Sequence, residues 1–147
     1  MIKSNLHTHS IYSDGRDTPE EIVERAIDIG FTSIGFSEHA EDCSGDDDII
    51  LKKKDYPDYF NLLNQLKEKY GNKIEIYKGL ELDAYSYGPE IELDYTIGSV
   101  HYLKKDNRYY AVDESLDNLK ETIDLFSLPN KFLFFPVYGL KLGNFYF

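Results

Sequence analysis

The sequence contains a single cysteine, no tryptophan and only four histidines among 147 residues. The lone thiol, Cys43, excludes a framework of internal disulfides and favours a reducing compartment. It is either an ordinary loop thiol or a nucleophile or metal ligand. No run of about 20 apolar residues occurs, and the N-terminus lacks the basic-then-apolar pattern of a secretion signal. The sequence therefore predicts a cytoplasmic protein with no membrane segment.

Basic residues are also few. Sixteen lysines and arginines stand against 27 aspartates and glutamates, which gives a formal net charge of −11. Because contacts to phosphates supply most of the affinity for nucleic acids, this balance predicts no nucleic-acid partner. An apolar fraction of 41% in a chain of this length is typical of one globular domain with a packed core.

Strand-like and helix-like patterns alternate along the chain. The apolar stretches predict four short strands, at residues 2–8, 32–37, 74–82 and 95–103. Three helices are predicted. The first begins at a capping box of Thr18 and Glu21 and ends at Gly30, and the second covers 56–70. The third is capped by Ser115 and has one apolar face, formed by Leu116, Leu119, Ile123 and Phe126. This alternation predicts an α/β fold with parallel strands, in which function collects at the C-terminal strand ends.

All four histidines fall at the ends or late positions of predicted strands. His7 and His9 end the first strand on the same face, because side chains alternate along a strand. Imidazole nitrogens with carboxylates suit Zn, Mn or Fe, so the pattern predicts a metal site. Each residue alone also has a structural interpretation, such as a turn residue for Asp14 or a core histidine for His101. The residues that could contribute to such a site are His7, His9, Asp14, His39, Glu81 and His101.

The motifs HTHSIYSDG, SEHA, GLELD and IGSVH, in this order, resemble the polymerase-and-histidinol-phosphatase (PHP) family of metal-dependent phosphoesterases. The resemblance implies a distorted, TIM-like (β/α)7 barrel with two or three divalent metal ions, Mn, Zn or Fe, at its C-terminal mouth. It implies that the six residues above are the metal ligands, with Glu81 bridging. Arg16 is a candidate phosphate contact on chemical grounds alone, and a solvent-facing arginine is the alternative.

Within the family, the motifs look most like those of the histidinol-phosphatases of histidine biosynthesis. The implied activity is hydrolysis of a small phosphate ester, L-histidinol phosphate, to L-histidinol and phosphate. Hydroxide formed on the clustered metals would attack the phosphorus while the metals neutralise the phosphoryl oxygens. The alternatives are another phosphoesterase of the family, either a phosphotyrosine phosphatase or a nuclease, or an inactive metal-binding fragment.

The chain departs from the family pattern in its second half. No histidine follows His101, and residues 127–147 contain no acidic residue but seven aromatic ones. We therefore expect residues 1–126 to be the N-terminal part of a PHP domain, holding the first half to two-thirds of the barrel. Residues 127–147 are interpreted as an aberrant tail from a shifted reading frame, or alternatively as an aromatic tail packed over the open barrel. An open edge of a parallel sheet also favours self-association.

Overall fold

A computed structural model of the chain describes residues 3–42, 49–88, 90–126, 141–142 and 145–146. Cys43 and most of the predicted tail over 127–147 lie outside the described residues, and the boundary at residue 126 stays a prediction. The described strands are β1 (Ser4–Asn5), β2 (Ser33–Phe36), β3 (Glu75–Asp83), β4 (Tyr95–Ser99), β5 (Tyr102–Lys105), β6 (Arg108–Ala111), β7 (Lys141–Leu142) and β8 (Phe145–Tyr146). The helices are α1 (Pro19–Asp28), α2 (Tyr56–Tyr70) and α3 (Leu116–Phe126), with a 3₁₀ turn at Lys53–Asp55.

The main sheet has six strands in the order β1-β2-β3-β4-β7-β8. Strands β1 to β4 are parallel neighbours, and β7 and β8 extend the sheet in antiparallel pairs. Helices α1 and α2 connect the first three strands, so the sheet curls as part of a barrel. The predicted α/β class with parallel strands is confirmed.

Local sequence signals explain where the first two helices begin. In α1, the Thr18 side chain accepts from the Glu21 backbone N–H at 3.2 Å, and the Glu21 carboxylate accepts from the Thr18 backbone N–H at 2.8 Å. This capping box satisfies two backbone donors that the first turn leaves free. Helix α1 ends before Gly30, whose φ of +80° suits glycine. Helix α2 covers the predicted residues 56–70.

The hydrophobic core is formed by side chains of α1, β2, α2 and β3. Helix α2 supplies its largest part, because its aromatic and leucine residues recur at helical spacing and all face inward. Tyr59 and Leu63 are fully buried, as are Phe36 of β2 and Leu80 of β3. This packing fixes the ends of β2 and β3, from which predicted site residues extend. Among the described residues, no helix has the length and apolar character that crossing a membrane requires.

Two predictions about the fold were wrong. The predicted strand at 95–103 is two strands, because the chain leaves the main sheet after Ser99 and forms a separate antiparallel hairpin of β5 and β6. The hairpin turns at Asp106 and Asn107, both with positive φ, which matches the twist of a two-residue hairpin loop. The predicted first strand, 2–8, is only two residues long, so the histidines that follow it lie in a loop.

The predicted apolar face of α3 is also wrong at its first position. Leu116 is 73% exposed, whereas Thr122 is buried. The Thr122 hydroxyl donates to the Ala111 carbonyl oxygen at 3.1 Å, and Phe126 packs edge-on against Tyr110. Helix α3 therefore packs on the β5–β6 hairpin, which the sequence did not predict.

Candidate metal centre

The six predicted ligands converge at the C-terminal end of the parallel sheet. Neighbouring imidazole rings form a continuous row, with centroid distances of 5.1 Å for His7–His9, 4.3 Å for His9–His39 and 4.9 Å for His39–His101. The chain reaches this point from five places: His7 and His9 follow β1, Asp14 precedes α1, His39 follows β2, Glu81 lies in β3, and His101 follows β4. Residues up to 94 positions apart in sequence therefore share one site.

Glu81 is the centre of the cluster. Its Oε2 atom lies 3.0 Å from Nε2 of both His7 and His9, and 3.3 Å from Nδ1 of His39. Its Oε1 atom lies 3.5 Å from Nε2 of His101. The Glu81 side chain is only 4% exposed, so these contacts are poorly screened by water. One carboxylate thus reaches all four histidines.

The loop between β1 and α1 brings Asp14 to the cluster. The Asp14 Oδ1 atom lies 2.7 Å from Nδ1 of His9, and Oδ2 lies 3.7 Å from Nε2 of His39. The Gly15 backbone N–H donates to the Ser10 carbonyl oxygen at 2.9 Å, which closes a tight turn. A Cβ atom at Gly15 would lie 2.4 Å from the carbonyl oxygen of His9. Only glycine fits this turn, which explains the Asp-Gly pair in the motif.

His101 has two carboxylate neighbours that the sequence did not assign to the cluster. Asp83 accepts from the His101 backbone N–H at 2.6 Å, and its Oδ2 atom lies 3.5 Å from the ring Nδ1. Asp113 Oδ2 lies 3.8 Å from the ring Nε2. Asp83 follows Glu81 by two positions on β3, so period-two alternation places both on one face. That alternation was the available signal for Asp83, but nothing local indicates Asp113.

Glu38, directly before His39, is a third carboxylate that the sequence did not assign to the cluster. Its side chain is completely buried. The carboxylate accepts hydrogen bonds from the Ser10 backbone N–H, the hydroxyls of Ser10 and Ser13, and the Tyr59 hydroxyl at 2.8 Å. It makes no described contact with the histidine rings, so it belongs to a layer behind the cluster.

Burial and the contacts between imidazoles and carboxylates shift the pKa values of the cluster in opposite directions. Burial alone would raise the pKa of Glu81, but its contacts with His9, His39 and His7 outweigh burial and lower that pKa to about 2. Burial alone would lower the pKa of His9, but contacts with Glu81 and Asp14 raise it to about 9. Burial lowers the pKa of His39. The hydrogen bond to Asp83 is the main cause that raises the pKa of His101.

The donor atoms of the cluster fit divalent metal ions. Three groups of three residues each place one ligand atom per residue within 4.8 Å of the others. The groups are His7, His9 and Glu81; His9, Asp14 and His39; and His39, Glu81 and His101. His9 Nε2 is buried 3.0 Å from Glu81 Oε2, yet it makes no bond in hydrogen-bond geometry among the described residues, which is typical of two ligand atoms that face a shared position. Nitrogen and carboxylate oxygen ligands in such groups suit Zn, Mn or Fe.

A cleft of about 590 Å³ opens beside the cluster. Asp14, His39, Glu81 and His101 line it, together with Tyr102 and Tyr109 of the β5–β6 hairpin. Further carboxylates line it, namely those of Asp42, Asp83, Asp113 and Glu114. Arg16 is exposed and is not among the described residues that line this cleft. Its predicted contact with phosphate stays a prediction.

Comparisons with known proteins agree with the motifs. The model of the PHP domain family matches residues 5–139. A histidinol-phosphatase of Bacillus subtilis is 30% identical over 143 residues, which cover 84% of this chain and 53% of that protein. The chain spans about half the length of the curated relatives it matches.

Two crystal structures share the fold. A structure from Listeria monocytogenes is similar with a TM-score of 0.63 and 25% identity, covering 79% of this chain and 51% of that one. A histidinol phosphate phosphatase from Lactococcus lactis, in complex with zinc, L-histidinol and phosphate, is similar with a TM-score of 0.59 and 29% identity. That comparison covers 71% of this chain and 41% of the other.

Proposed function

The chain belongs to the PHP domain family, and from that premise we propose that it is a metal-dependent phosphomonoesterase. The proposed reaction is hydrolysis of L-histidinol phosphate to L-histidinol and phosphate. The observation that carries the proposal is the contact of four histidines with one buried carboxylate, Glu81, at the mouth of the sheet. The relatives named histidinol-phosphatase support the choice of substrate.

The six predicted ligands would hold two or three divalent ions, Zn, Mn or Fe. Glu81 belongs to two of the three ligand groups, as His9 and His39 do, but of these three residues it alone offers two oxygen atoms, which supports its predicted bridging position. Nδ1 of His9 lies 2.7 Å from Asp14 Oδ1, and a proton on that nitrogen would leave Nε2 of the ring as the ligand atom. Bound divalent ions supply two kinds of chemistry, a lowered pKa for water and neutralisation of phosphoryl charge.

The cleft wall suits the alcohol part of the proposed substrate. L-Histidinol carries an amine and an imidazole, and the cleft presents tyrosine rings and several carboxylates beyond the ligand groups. Asp113 and Glu114 are exposed there, so they can meet a cationic amine without the cost of burying an unpaired charge. The phosphoryl group would face the histidines, and the amine would face this acidic wall.

Phosphate release tests the proposal directly. Purified protein loaded with Zn²⁺ or Mn²⁺ is expected to release phosphate from L-histidinol phosphate faster than from phosphotyrosine, and to leave single-stranded DNA intact. The Glu81→Gln variant should lose bound metal and phosphate release together, because it removes a charged carboxylate that would serve two of the ligand groups. Glu75→Gln is the matched control, since Glu75 lies exposed at the start of the same strand and should keep both properties.

Four other results would contradict the proposal in distinguishable ways. Faster release from phosphotyrosine would favour a phosphotyrosine phosphatase, and degradation of DNA would favour a nuclease. Bound metal with no phosphate release from any substrate would favour the inactive metal-binding fragment. Equal rates for wild type and Glu81→Gln would remove the cluster from the reaction altogether.

A further inference from the structure

The Glu38 carboxylate is held by donors from two different parts of the chain. One is the loop before α1, which supplies the Ser10 backbone N–H at 3.0 Å to both carboxylate oxygens and the hydroxyls of Ser10 and Ser13 at 2.5 Å. The other is helix α2, which supplies the Tyr59 hydroxyl at 2.8 Å. Every one of these donors is uncharged. Since a buried carboxylate is costly unless it is well hydrogen-bonded, the network must remain complete.

Each contact of Glu38 with the loop lies one residue away from a predicted ligand. Ser10 follows His9, Ser13 precedes Asp14, and Glu38 itself precedes His39. These three neighbours, His9, Asp14 and His39, are the members of one of the three candidate ligand groups. A single carboxylate therefore links the backbone positions of one complete ligand group.

Among the described residues, the hydrogen bonds that join this loop beyond His9 to the segment after β2 all go to Glu38. The loop also has contacts that are not hydrogen bonds, since Asp14 Oδ2 lies 3.7 Å from His39 Nε2 and the ring of Tyr12 packs against Tyr59. The turn has its own backbone bonds, from Ser13 N–H and Gly15 N–H to the Ser10 carbonyl oxygen, but these are internal to the loop and do not tie it to β2. The Ser37 backbone N–H donates to the Thr8 carbonyl oxygen at 2.9 Å. This bond joins the loop to the end of β2 at a position before His9. Beyond His9, the hydrogen bonds between the loop and the residue before His39 are therefore those of Glu38.

We propose that Glu38 is a positioning residue that fixes His9 and Asp14 relative to His39 and thereby sets the metal affinity of that ligand group. The inference deepens the proposed function, because it rests on the cluster being a metal centre. Glu38 does not touch the metal or the substrate in this scheme. It acts through the loop, in the way that residues behind metal ligands commonly orient them.

The test separates positioning from fold stability by measuring both. Zn²⁺ affinity is measured by competition with a chromophoric chelator, and the melting temperature of the metal-free protein is measured by circular dichroism. Glu38→Gln keeps the shape of the side chain but replaces one acceptor oxygen with an NH₂ group, so a loop contact is lost. Its Zn²⁺ affinity is expected to fall by about 10- to 100-fold, the usual range for residues behind a ligand.

Tyr59→Phe is the matched control. It removes a buried hydrogen bond to the same carboxylate but leaves both loop serines in place, so the melting temperature should fall while Zn²⁺ affinity stays at the wild-type value. Ser13→Ala removes one hydrogen bond between the loop and the same buried carboxylate. It should lower the melting temperature about as much as Tyr59→Phe, because each variant removes one donor from Glu38, but only Ser13→Ala should lower Zn²⁺ affinity. This pair keeps the test decisive even if Glu38→Gln does not fold.

The outcomes are read without substrate. Wild-type affinity in both Glu38→Gln and Ser13→Ala would overturn the inference, as would an equal loss of affinity in Tyr59→Phe, because the effect would then follow fold stability. If wild type binds Zn²⁺ and the variants follow the expected order, but no substrate releases phosphate, the inference stands and the proposed function fails. If wild type binds no Zn²⁺, both are overturned.

Discussion

The metal-free protein is expected to lose stability as the pH rises from 6.5 to 9, with His9 as the main cause. Burial would lower the pKa of His9, but its contacts with Glu81 and Asp14 raise that pKa from 6.5 to about 9. A histidine with a raised pKa stabilises the fold fully below its unfolded value. It loses that contribution as the pH rises through the folded value.

The size of the effect follows from the shift. A pKa change from 6.5 to about 9 corresponds to about 3 kcal/mol of unfolding free energy. The His9 side chain is only 16% exposed, so little of this is lost to solvent screening. His101 acts in the same direction, because its hydrogen bond to Asp83 raises its pKa. His39 acts in the opposite direction and below pH 6.5, because burial lowers its pKa and its protonation then favours unfolding.

Urea unfolding of chelator-treated protein measures this free energy at the two pH values. Circular dichroism is the suitable signal, because the chain has no tryptophan. His9→Asn serves as the control, since it keeps a polar side chain but cannot titrate in this range. With zinc present, stability should instead increase with pH, because protons compete with the metal for the imidazole and the affinity for zinc therefore rises with pH.

Two results would refute the reasoning. One is wild-type stability that stays level or increases from pH 6.5 to 9 in the absence of metal. The other is a His9→Asn variant that loses as much stability as the wild type over the same range, which would place the titrating group elsewhere.

Two further predictions concern the loop and the core. Gly15→Ala should lower stability by about 1–3 kcal/mol and weaken Zn²⁺ binding, because the new Cβ would lie 2.4 Å from the His9 carbonyl oxygen and displace the loop. Urea unfolding measures the stability and chelator competition measures the Zn²⁺ affinity. Wild-type values in both assays would contradict the steric argument. Leu63→Ala should cost about 2–5 kcal/mol, because the side chain is fully buried. Leu116→Ala, at a position that is 73% exposed, should change stability by less than about 0.5 kcal/mol in the same assay, and equal losses would mean that burial does not govern these positions.

Local signals predicted the elements whose causes are local. Helix α1 starts where its capping box lies, and α2 has the predicted bounds because its aromatic and leucine residues recur at the helical period. Strand β2, Ser33–Phe36, falls within the predicted 32–37. The sequence could not predict the end of β4, because the chain leaves the sheet there to place the His101 N–H on Asp83, a contact between residues 18 positions apart.

By itself, the sequence determined the fold class and the residue types of the site. Histidines and carboxylates at the ends of predicted strands pointed to one metal centre, since parallel strands end at the same edge of a sheet. Only the tertiary structure decided which atoms meet: that Glu81 reaches all four imidazoles, that Asp83 and Asp113 flank His101, and that the buried Glu38 holds the loop. The physical reason is that a hydrogen bond or ion pair depends on distances of a few ångströms between distant segments, and these are set by packing of the core rather than by local sequence.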